Sequence, residues 1–209
     1  MTDSLALQDL SAFDTAGRML LACRCNNSHS GNLSIRHGHR IVITRTGAML
    51  ASLTADDLVT TSFEPTEQER RRASSEIAVH LKIYQRTEHL AIAHGHALAA
   101  VAVGWLTDWI NPIDVEGAYY HGGIPVLEYN PATASVVLGE ALGAVLAQES
   151  VVVLRGHGVF AGGATLEQAF QRVTSVNDSA DLIIKARQLG LDPRQLANAP
   201  YLEVGWIRD

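Results

Sequence analysis

The sequence predicts an α/β fold, in which helices pack on both faces of one β-sheet. Two short apolar runs, Leu90–Ala93 and Val151–Leu154, are typical of buried strands. Residues 4–25 place apolar side chains at spacings of mostly three and four, which is typical of an amphipathic helix, and residues 165–189 are predicted as a long helix. Strands and helices mix along the chain without an internal repeat or a clear linker, so we expect a single domain spanning residues 1–209.

The other elements follow from local patterns in the same way. Two β-rich runs around a short polar turn predict a hairpin, and Pro125 near the start of another run indicates an edge strand. Thr165 is a suitable cap for the last helix, and Gly190 ends it. The predicted strands are residues 31–35, 40–44, 58–63, 90–93, 124–129 and 151–154, and the predicted helices are residues 4–25, 74–85, 97–104, 133–148 and 165–189, with a helical turn at 54–57.

Composition limits the classes of partner. Of the 209 residues, 47% are hydrophobic and 18% are charged, and the net charge of −6 argues against nucleic acid or an anionic membrane as the main partner. No apolar run is long enough to span a membrane, and the acidic N-terminus does not resemble a signal peptide. Cys23 and Cys25 would point to different sides of a helix and cannot pair there, which suits a reduced, cytoplasmic protein.

The candidate chemistry begins where a buried strand ends in histidines. Leu90–Ala93 runs directly into His94-Gly95-His96. Because side chains on a strand alternate between its faces, His94 and His96 point the same way. Two imidazoles on one face, one residue apart, can share a metal ion.

A third histidine has a similar position. His157 follows the apolar run Val151–Leu154, and the flanking residues Gly156 and Gly158 allow close approach of the backbone. Three imidazole ligands with one open position are the pattern of a catalytic zinc site. The alternative is that each histidine is separately hydrogen-bonded in a core.

The chain contains the same tripeptide a second time, as His37-Gly38-His39. This copy lies between two predicted strands and is flanked by Arg36 and Arg40, so we expect an exposed hairpin tip. Neighbouring cations disfavour a metal ion, and we therefore reject this pair as ligands.

Glu76 is the candidate acid–base group. It lies at the start of a predicted helix among Ala73, Ile77, Val79 and His80, and a carboxylate in apolar surroundings suits proton transfer. The alternative is an ordinary first-turn glutamate favoured by the helix dipole.

A set of small polar residues lies where strands end or helices begin. Backbone N–H groups at a helix N-terminus, together with hydroxyl and amide side chains, form an uncharged phosphate cradle. Each position alone is equally typical of a turn or a cap. The candidate cradle residues are Asn32, Thr46, Gly47, Ser74 and Ser75.

Together these motifs resemble the class II aldolase/adducin family, and within it the branch of L-fuculose-1-phosphate aldolases. The resemblance spans about residues 17–190, and its motifs occur in the family's order and at similar spacings. They are Gly31-Asn32-Leu33-Ser34, Thr44-Arg45-Thr46-Gly47, Ser74-Ser75-Glu76, His94-Gly95-His96 and Gly156-His157-Gly158.

The resemblance implies a three-layer α/β/α sandwich around a mixed, mostly antiparallel sheet. It also implies a homotetramer with active sites between subunits. It assigns a divalent metal, usually Zn²⁺ with Mn²⁺ or Co²⁺ as options, to His94, His96 and His157. It assigns acid–base catalysis to Glu76 and phosphate binding to the cradle residues.

The implied activity is metal-dependent cleavage of a ketose 1-phosphate to dihydroxyacetone phosphate and an aldehyde. Related epimerases typically carry Asp where this chain has Glu76, which favours the aldolase branch. Alternatives are a 5-deoxyribulose- or methylthioribulose-phosphate aldolase, another epimerase, dehydratase or decarboxylase of the family, or a non-catalytic adducin-like assembly module.

Two departures from the family pattern concern the metal pair and the active-site tyrosine. Gly95 stands where Thr or Asn is common. The family's active-site tyrosine has no certain counterpart, so roles for Tyr119, Tyr120, Tyr201 and Trp206 stay open.

Overall fold

The computed structural model describes residues 2–130 and 133–202, with only the backbone for residues 2–7. Within these residues, the strands are β1 Asn32–His37, β2 Arg40–Thr44, β3 Leu58–Thr61, β4 Ala91–Gly95, β5 Trp109–Ile110, β6 Ile124–Leu127, β7 Val151–Leu154 and β8 Gly158–Gly163. The α-helices are α1 Thr2–Ala22, α2 Glu67–Arg72, α3 Ile77–Arg86, α4 Leu98–Gly104, α5 Val115–His121, α6 Val136–Leu146, α7 Leu166–Gln188 and α8 Pro193–Leu196. Short 3₁₀ turns cover Leu50–Ser52, Ala55–Asp57 and Pro200–Leu202.

The strands form one sheet in the order β3-β2-β1-β4-β8-β7-β6-β5. Neighbouring strands are antiparallel except for β6 and β7, which are parallel. The predicted α/β class with a mixed, mostly antiparallel sheet is therefore confirmed.

Alternating side chains divide the core into two layers, one on each face of the sheet. On β4, Ala91 and Ala93 belong to the layer that contains residues of α1, α4 and α7, whereas Ile92 belongs to the layer that contains residues of α3 and α6. On β8, Phe160 lies in the same layer as Ile92. Helices thus cover both faces, as the three-layer prediction requires.

Several elements were not predicted from the sequence. The most important is β8, a fully buried strand that pairs with both β4 and β7. Its sequence, Gly-Val-Phe-Ala-Gly-Gly, carries three glycines, which weaken any strand pattern. The strand β6 was predicted to be an edge strand, but the two-residue β5 pairs with it, with Trp109 opposite Pro125.

Helix α1 ends earlier than predicted. It stops at Ala22, and Arg24 takes a positive φ of 58°, so both cysteines follow the helix instead of lying on it. Both thiols are free, and burial raises the pKa of Cys25 to about 12, which makes it unreactive. None of the described helices combines the length and the apolar character that crossing a membrane would need.

Candidate active site

The three predicted histidines come together through strand pairing. β4 runs antiparallel to β8, and Gly95 lies opposite Val159, so the end of β4 meets the β7–β8 turn that carries His157. The ring centroids of His94 and His96 lie 5.0 Å apart, and that of His157 is 4.7 Å and 4.9 Å from them. One ring nitrogen from each of the three histidines lies within 4.8 Å of the other two.

Hydrogen bonds and burial prepare these imidazoles as metal ligands. His94 is fully buried, its ring stacks on Phe160 at 4.0 Å, and its Nδ1 donates to the Val159 carbonyl at 3.0 Å. That bond leaves the lone pair of His94 Nε2 available to a metal ion, and this atom is buried without a hydrogen-bond partner, as is His157 Nδ1. Burial, followed by the neighbouring His157, lowers the pKa of both His94 and His96. Neutral, unpartnered imidazole nitrogens fit a divalent ion.

Close packing fixes the backbone around the ligands. A Cβ atom on Gly158 would lie 2.5 Å from the Gly95 carbonyl oxygen and 2.9 Å from His94 Cε1. Only glycine therefore fits at this position, as the sequence suggested. The backbone N–H of His96 donates to Asn26 Oδ1 at 3.0 Å, which ties the second ligand to the turn after α1.

Glu76 lies beside the histidine cluster at the N-terminus of α3 and is 4% exposed. Its Oε2 is 3.4 Å from His94 Nε2 and accepts a hydrogen bond from Asn32 Nδ2 at 2.9 Å. Its Oε1 is buried and has no hydrogen-bond partner. A carboxylate oxygen in this state is suited to take up a proton from a bound molecule.

The cradle residues come from three segments, and backbone pairing joins two of them. The Ser74 N–H donates to the Thr44 carbonyl at 2.9 Å, and the Thr46 N–H donates to the Arg72 carbonyl at 3.0 Å. These bonds place the Thr46–Gly47 turn against the segment that enters α3. Gly47 has a positive φ of 65°, which favours glycine.

A cavity of about 210 Å³ connects the candidate cradle with the three clustered histidines. All the predicted site residues line this cavity except His94, whose ring lies behind them. Arg45 also lines this cavity, and its guanidinium bonds Asp57 at 2.8 Å and the Thr46 carbonyl at 2.9 Å. The cradle was predicted to be uncharged, but it has this charged side chain beside it. Gly31, which precedes Asn32 in the predicted motif, also lines the cavity, and the lining residues that had no predicted role are His29, Ser30, Arg45, Ala48 and Thr133.

A larger cavity of about 710 Å³ lies on the other side of His96, between the end of α1, α4 and α7. His96 is the only predicted site residue that it shares. We place the chemistry in the smaller cavity, because Glu76 and His157, both with unpartnered polar atoms, line that one.

A buried hydrogen-bond network behind Glu76 was not predicted. It includes Ser34, His80 and Tyr84, which lie on β1 and α3. The spacing of Glu76, His80 and Tyr84 at i, i+4 and i+8 was a usable signal, because such residues share one helix face.

The structure gives positions for several of the residues that were set aside or left open. His37 ends β1, and its Nε2 bonds Asp9 Oδ1 at 2.9 Å. Gly38 and His39 form the β1–β2 turn, where both are exposed. Tyr201 donates to the Ile113 carbonyl at 3.2 Å. Among the described residues that line the smaller cavity there is no tyrosine, and Trp206 lies outside the described residues.

The sequence profile described as "Class II Aldolase and Adducin N-terminal domain" matches residues 13–184. The chain belongs to this family. Class II aldolases are metal-dependent, and the three clustered histidines could hold the metal ion.

Relatives within the family agree with this assignment. The L-fuculose phosphate aldolase of Methanococcus maripaludis strain C5 is 29% identical over 161 residues, which cover 77% of this chain and 87% of that protein. The 5-methylthioribulose-1-phosphate/5-deoxyribulose-1-phosphate aldolase of Escherichia coli strain S88 is 26% identical over 188 residues, covering 87% and 86%. The crystal structure of L-fuculose-1-phosphate aldolase from Thermus thermophilus superimposes with a TM-score of 0.82 at 30% identity, covering 87% of this chain and 95% of that chain.

Proposed function

We propose that this family member is a metal-dependent lyase that cleaves an L-fuculose 1-phosphate-like ketose 1-phosphate to dihydroxyacetone phosphate and an aldehyde. The observation that carries the proposal is the convergence of three imidazoles, a buried carboxylate and a polar cradle around one cavity. The L-fuculose phosphate aldolases among its relatives act on a substrate of this class.

His94, His96 and His157 would hold the divalent ion, for which we propose Zn²⁺, with Mn²⁺ or Co²⁺ as alternatives. A bound ion would supply Lewis-acid polarisation of the substrate's carbonyl oxygen. Burial keeps the pKa of His94 well below its ordinary value, so proton competition for this ligand is weak at neutral pH.

The protein's own residues would then position the substrate and move protons. The cradle of Asn32, Thr46, Gly47, Ser74 and Ser75 would bind the phosphate with N–H and O–H donors and hold the reacting carbons beside the histidines. When the carbon–carbon bond breaks, its electron pair remains on the carbon next to the carbonyl. The carbon bearing the hydroxyl becomes the released aldehyde as its hydroxyl proton passes to water, which in turn protonates Glu76. Glu76 Oε1 would deliver a proton to the former carbon, and would remove it in the reverse direction.

The test is a substrate panel combined with metal analysis of the purified protein. We expect the protein to contain a divalent metal and to release dihydroxyacetone phosphate from at least one ketose 1-phosphate. A chelator should abolish the release, and zinc, manganese or cobalt should restore it. Metal-free protein with no turnover would instead indicate a non-catalytic assembly module.

The aldehyde product separates the candidate aldolases from one another. Turnover of 5-deoxyribulose 1-phosphate or methylthioribulose 1-phosphate in preference to fuculose 1-phosphate would favour the second candidate activity, which the Escherichia coli relative carries in its name. Conversion of a sugar phosphate without dihydroxyacetone phosphate release would indicate an epimerase, dehydratase or decarboxylase.

Glu76→Gln tests the acid–base assignment. The substitution keeps the side chain's size but removes the basic oxygen, so we expect kcat to fall by roughly 10²- to 10⁴-fold. Metal content and binding of dihydroxyacetone phosphate should stay near wild-type values, because His94, His96, His157 and the cradle are unchanged. A near-normal kcat in Glu76→Gln would show that another group moves the proton.

We further propose a cytoplasmic homotetramer with active sites at subunit boundaries. The mass in solution should be about four times the 22.5 kDa of the chain. Light scattering measures it directly, and a monomer with full activity would contradict the proposal.

A further inference from the structure

A line of buried hydrogen bonds leads from the interior of the protein to the Glu76 carboxylate. The Tyr84 hydroxyl lies 2.8 Å from Ser34 Oγ, which is 2.7 Å from His80 Nδ1. On its other side, His80 Nε2 lies 2.5 Å from Asn32 Oδ1, and Asn32 Nδ2 is 2.9 Å from Glu76 Oε2. All five side chains are buried, and Ser34 and His80 are completely inaccessible.

The donor and acceptor chemistry gives every bond in this line one direction. The Glu76 carboxylate accepts, so Asn32 presents its NH₂ group there and its carbonyl oxygen to His80. That oxygen can only accept, and therefore the proton of His80 is on Nε2. Burial lowers the pKa of His80 to about 3, which keeps the ring neutral and leaves Nδ1 to accept from Ser34.

The consequence at the site is an unequal pair of carboxylate oxygens. Oε2 of Glu76 is committed to Asn32, whereas Oε1 is buried without a partner. If the Asn32 amide rotated by half a turn, its carbonyl would face the carboxylate and repel it. The Nε2 proton of His80 prevents this rotation, because it needs the carbonyl oxygen on its own side.

We propose that His80 is a positioning residue: fixed by Ser34 and Tyr84, it orients the Asn32 amide, which holds Glu76 with one oxygen free for the substrate. The proposal deepens the proposed function and rests on it for its activity readout. Asn32 thus acts on Glu76 in addition to its proposed place in the cradle.

Two substitutions at His80 separate orientation from packing. His80→Gln keeps an N–H donor near the position of Nε2, whereas His80→Leu removes the donor but fills a similar space. We expect His80→Leu to lower kcat by about 10- to 100-fold, as for other residues that orient a catalytic group, and His80→Gln to recover most of the loss. The metal content should change by less than about twofold in both variants, because His94, His96 and His157 are unchanged, and in His80→Leu kcat should fall by a larger factor than KM for the ketose phosphate rises.

The matched control is His89→Leu. His89 is a partly buried histidine whose Nε2 bonds the Leu146 carbonyl at 3.2 Å, away from the cavity. Its kcat should stay near the wild-type value. Equal losses in His80→Gln and His80→Leu, or a loss that follows metal content or thermal stability, would show that His80 has only a structural role.

A second measurement does not depend on turnover or on the Leu variant folding. Nitrogen NMR of the wild-type protein labelled at histidine should show one neutral imidazole between pH 5 and 8 that carries its proton on Nε2 and exchanges slowly with water. His80→Gln identifies it by removing that signal. A proton on Nδ1 of His80 would overturn the proposal. Absence of turnover on every ketose 1-phosphate would count against the proposed function alone, since the NMR result still decides the orientation of Asn32.

Discussion

The tripeptide His-Gly-His occurs twice in this chain, and the two copies lie in different structural settings. His94-Gly95-His96 ends a central strand, is joined by His157 and borders a polar cavity. His37-Gly38-His39 turns between two strands at the surface, where one ring bonds Asp9 and the other is exposed. Metal-ligand spacing is therefore insufficient by itself. What distinguishes the first copy is a third imidazole, supplied by the turn that leads into the neighbouring strand β8.

Removing the second histidine of each copy should give the largest contrast. His96→Ala leaves two imidazoles, so we expect the metal content to fall from about one ion per chain to near zero, with loss of turnover. His39→Ala should keep both at wild-type levels. The measurement is metal analysis after gel filtration, combined with dihydroxyacetone phosphate release. Retention of metal by His96→Ala would show that the first His-Gly-His copy does not hold the metal ion as proposed.

The central glycines allow a finer comparison. A Cβ atom on Gly95 would lie 2.9 Å from Val173 Cγ1 and 3.2 Å from the Cys25 carbonyl oxygen, so Gly95→Ala should cost about 1–3 kcal/mol of stability and weaken metal binding. Gly38 has a φ of 62° and open space around it. Gly38→Ala should therefore cost only about 1 kcal/mol, from backbone strain, and leave metal binding intact.

Urea unfolding and metal titration of both glycine variants measure these effects. Adding Val173→Ala to Gly95→Ala should recover part of the lost stability, because it removes the crowded methyl group. If Gly38→Ala impaired metal binding as strongly as Gly95→Ala, the two copies would not be independent.

Burial of imidazoles has a smaller effect that appears in the pH dependence of stability. His121, on α5, is half-buried, and burial of its ring together with the nearby Arg172 lowers its pKa to about 4, while Asp114 opposes the shift. Below pH 6.5 the unfolded chain binds a proton that the folded chain does not take up until about pH 4. The free energy of unfolding is therefore not reduced by His121 above pH 6.5. As the pH drops from 6.5 to about 4, protonation of the unfolded chain lowers this free energy by at most about 1.4 kcal/mol per pH unit.

His121→Gln should reduce that slope, whereas His39→Gln, at the exposed hairpin tip, serves as the control. Urea unfolding at several pH values, with chelator present so that metal release does not contribute, measures it. An unchanged slope in His121→Gln would show that this histidine does not titrate as its burial requires.

Most of the fold could be predicted because its signals are local. The runs that became β2 and β7 were located with the same bounds, and α7 lies within the predicted helix. The strand β8 was missed because three glycines hide its pattern, and β5 is only two residues long. The family resemblance supplied the layer arrangement, which periodicity alone could not.

The sequence by itself determined the types and spacings of the reactive groups: a strand ending in two histidines, a third histidine between glycines, and a glutamate at a helix start. Only the tertiary structure decided that β4 lies beside β8, which brings His157 to the other two, and that Asn32 and His80 meet behind Glu76. The physical reason is that the spacing of apolar residues in a sequence reports only which side chains share a face of one helix or strand, over about one helical turn or two strand residues. Contacts between residues as far apart as 94 and 157 depend instead on strand order and register, which the whole core determines.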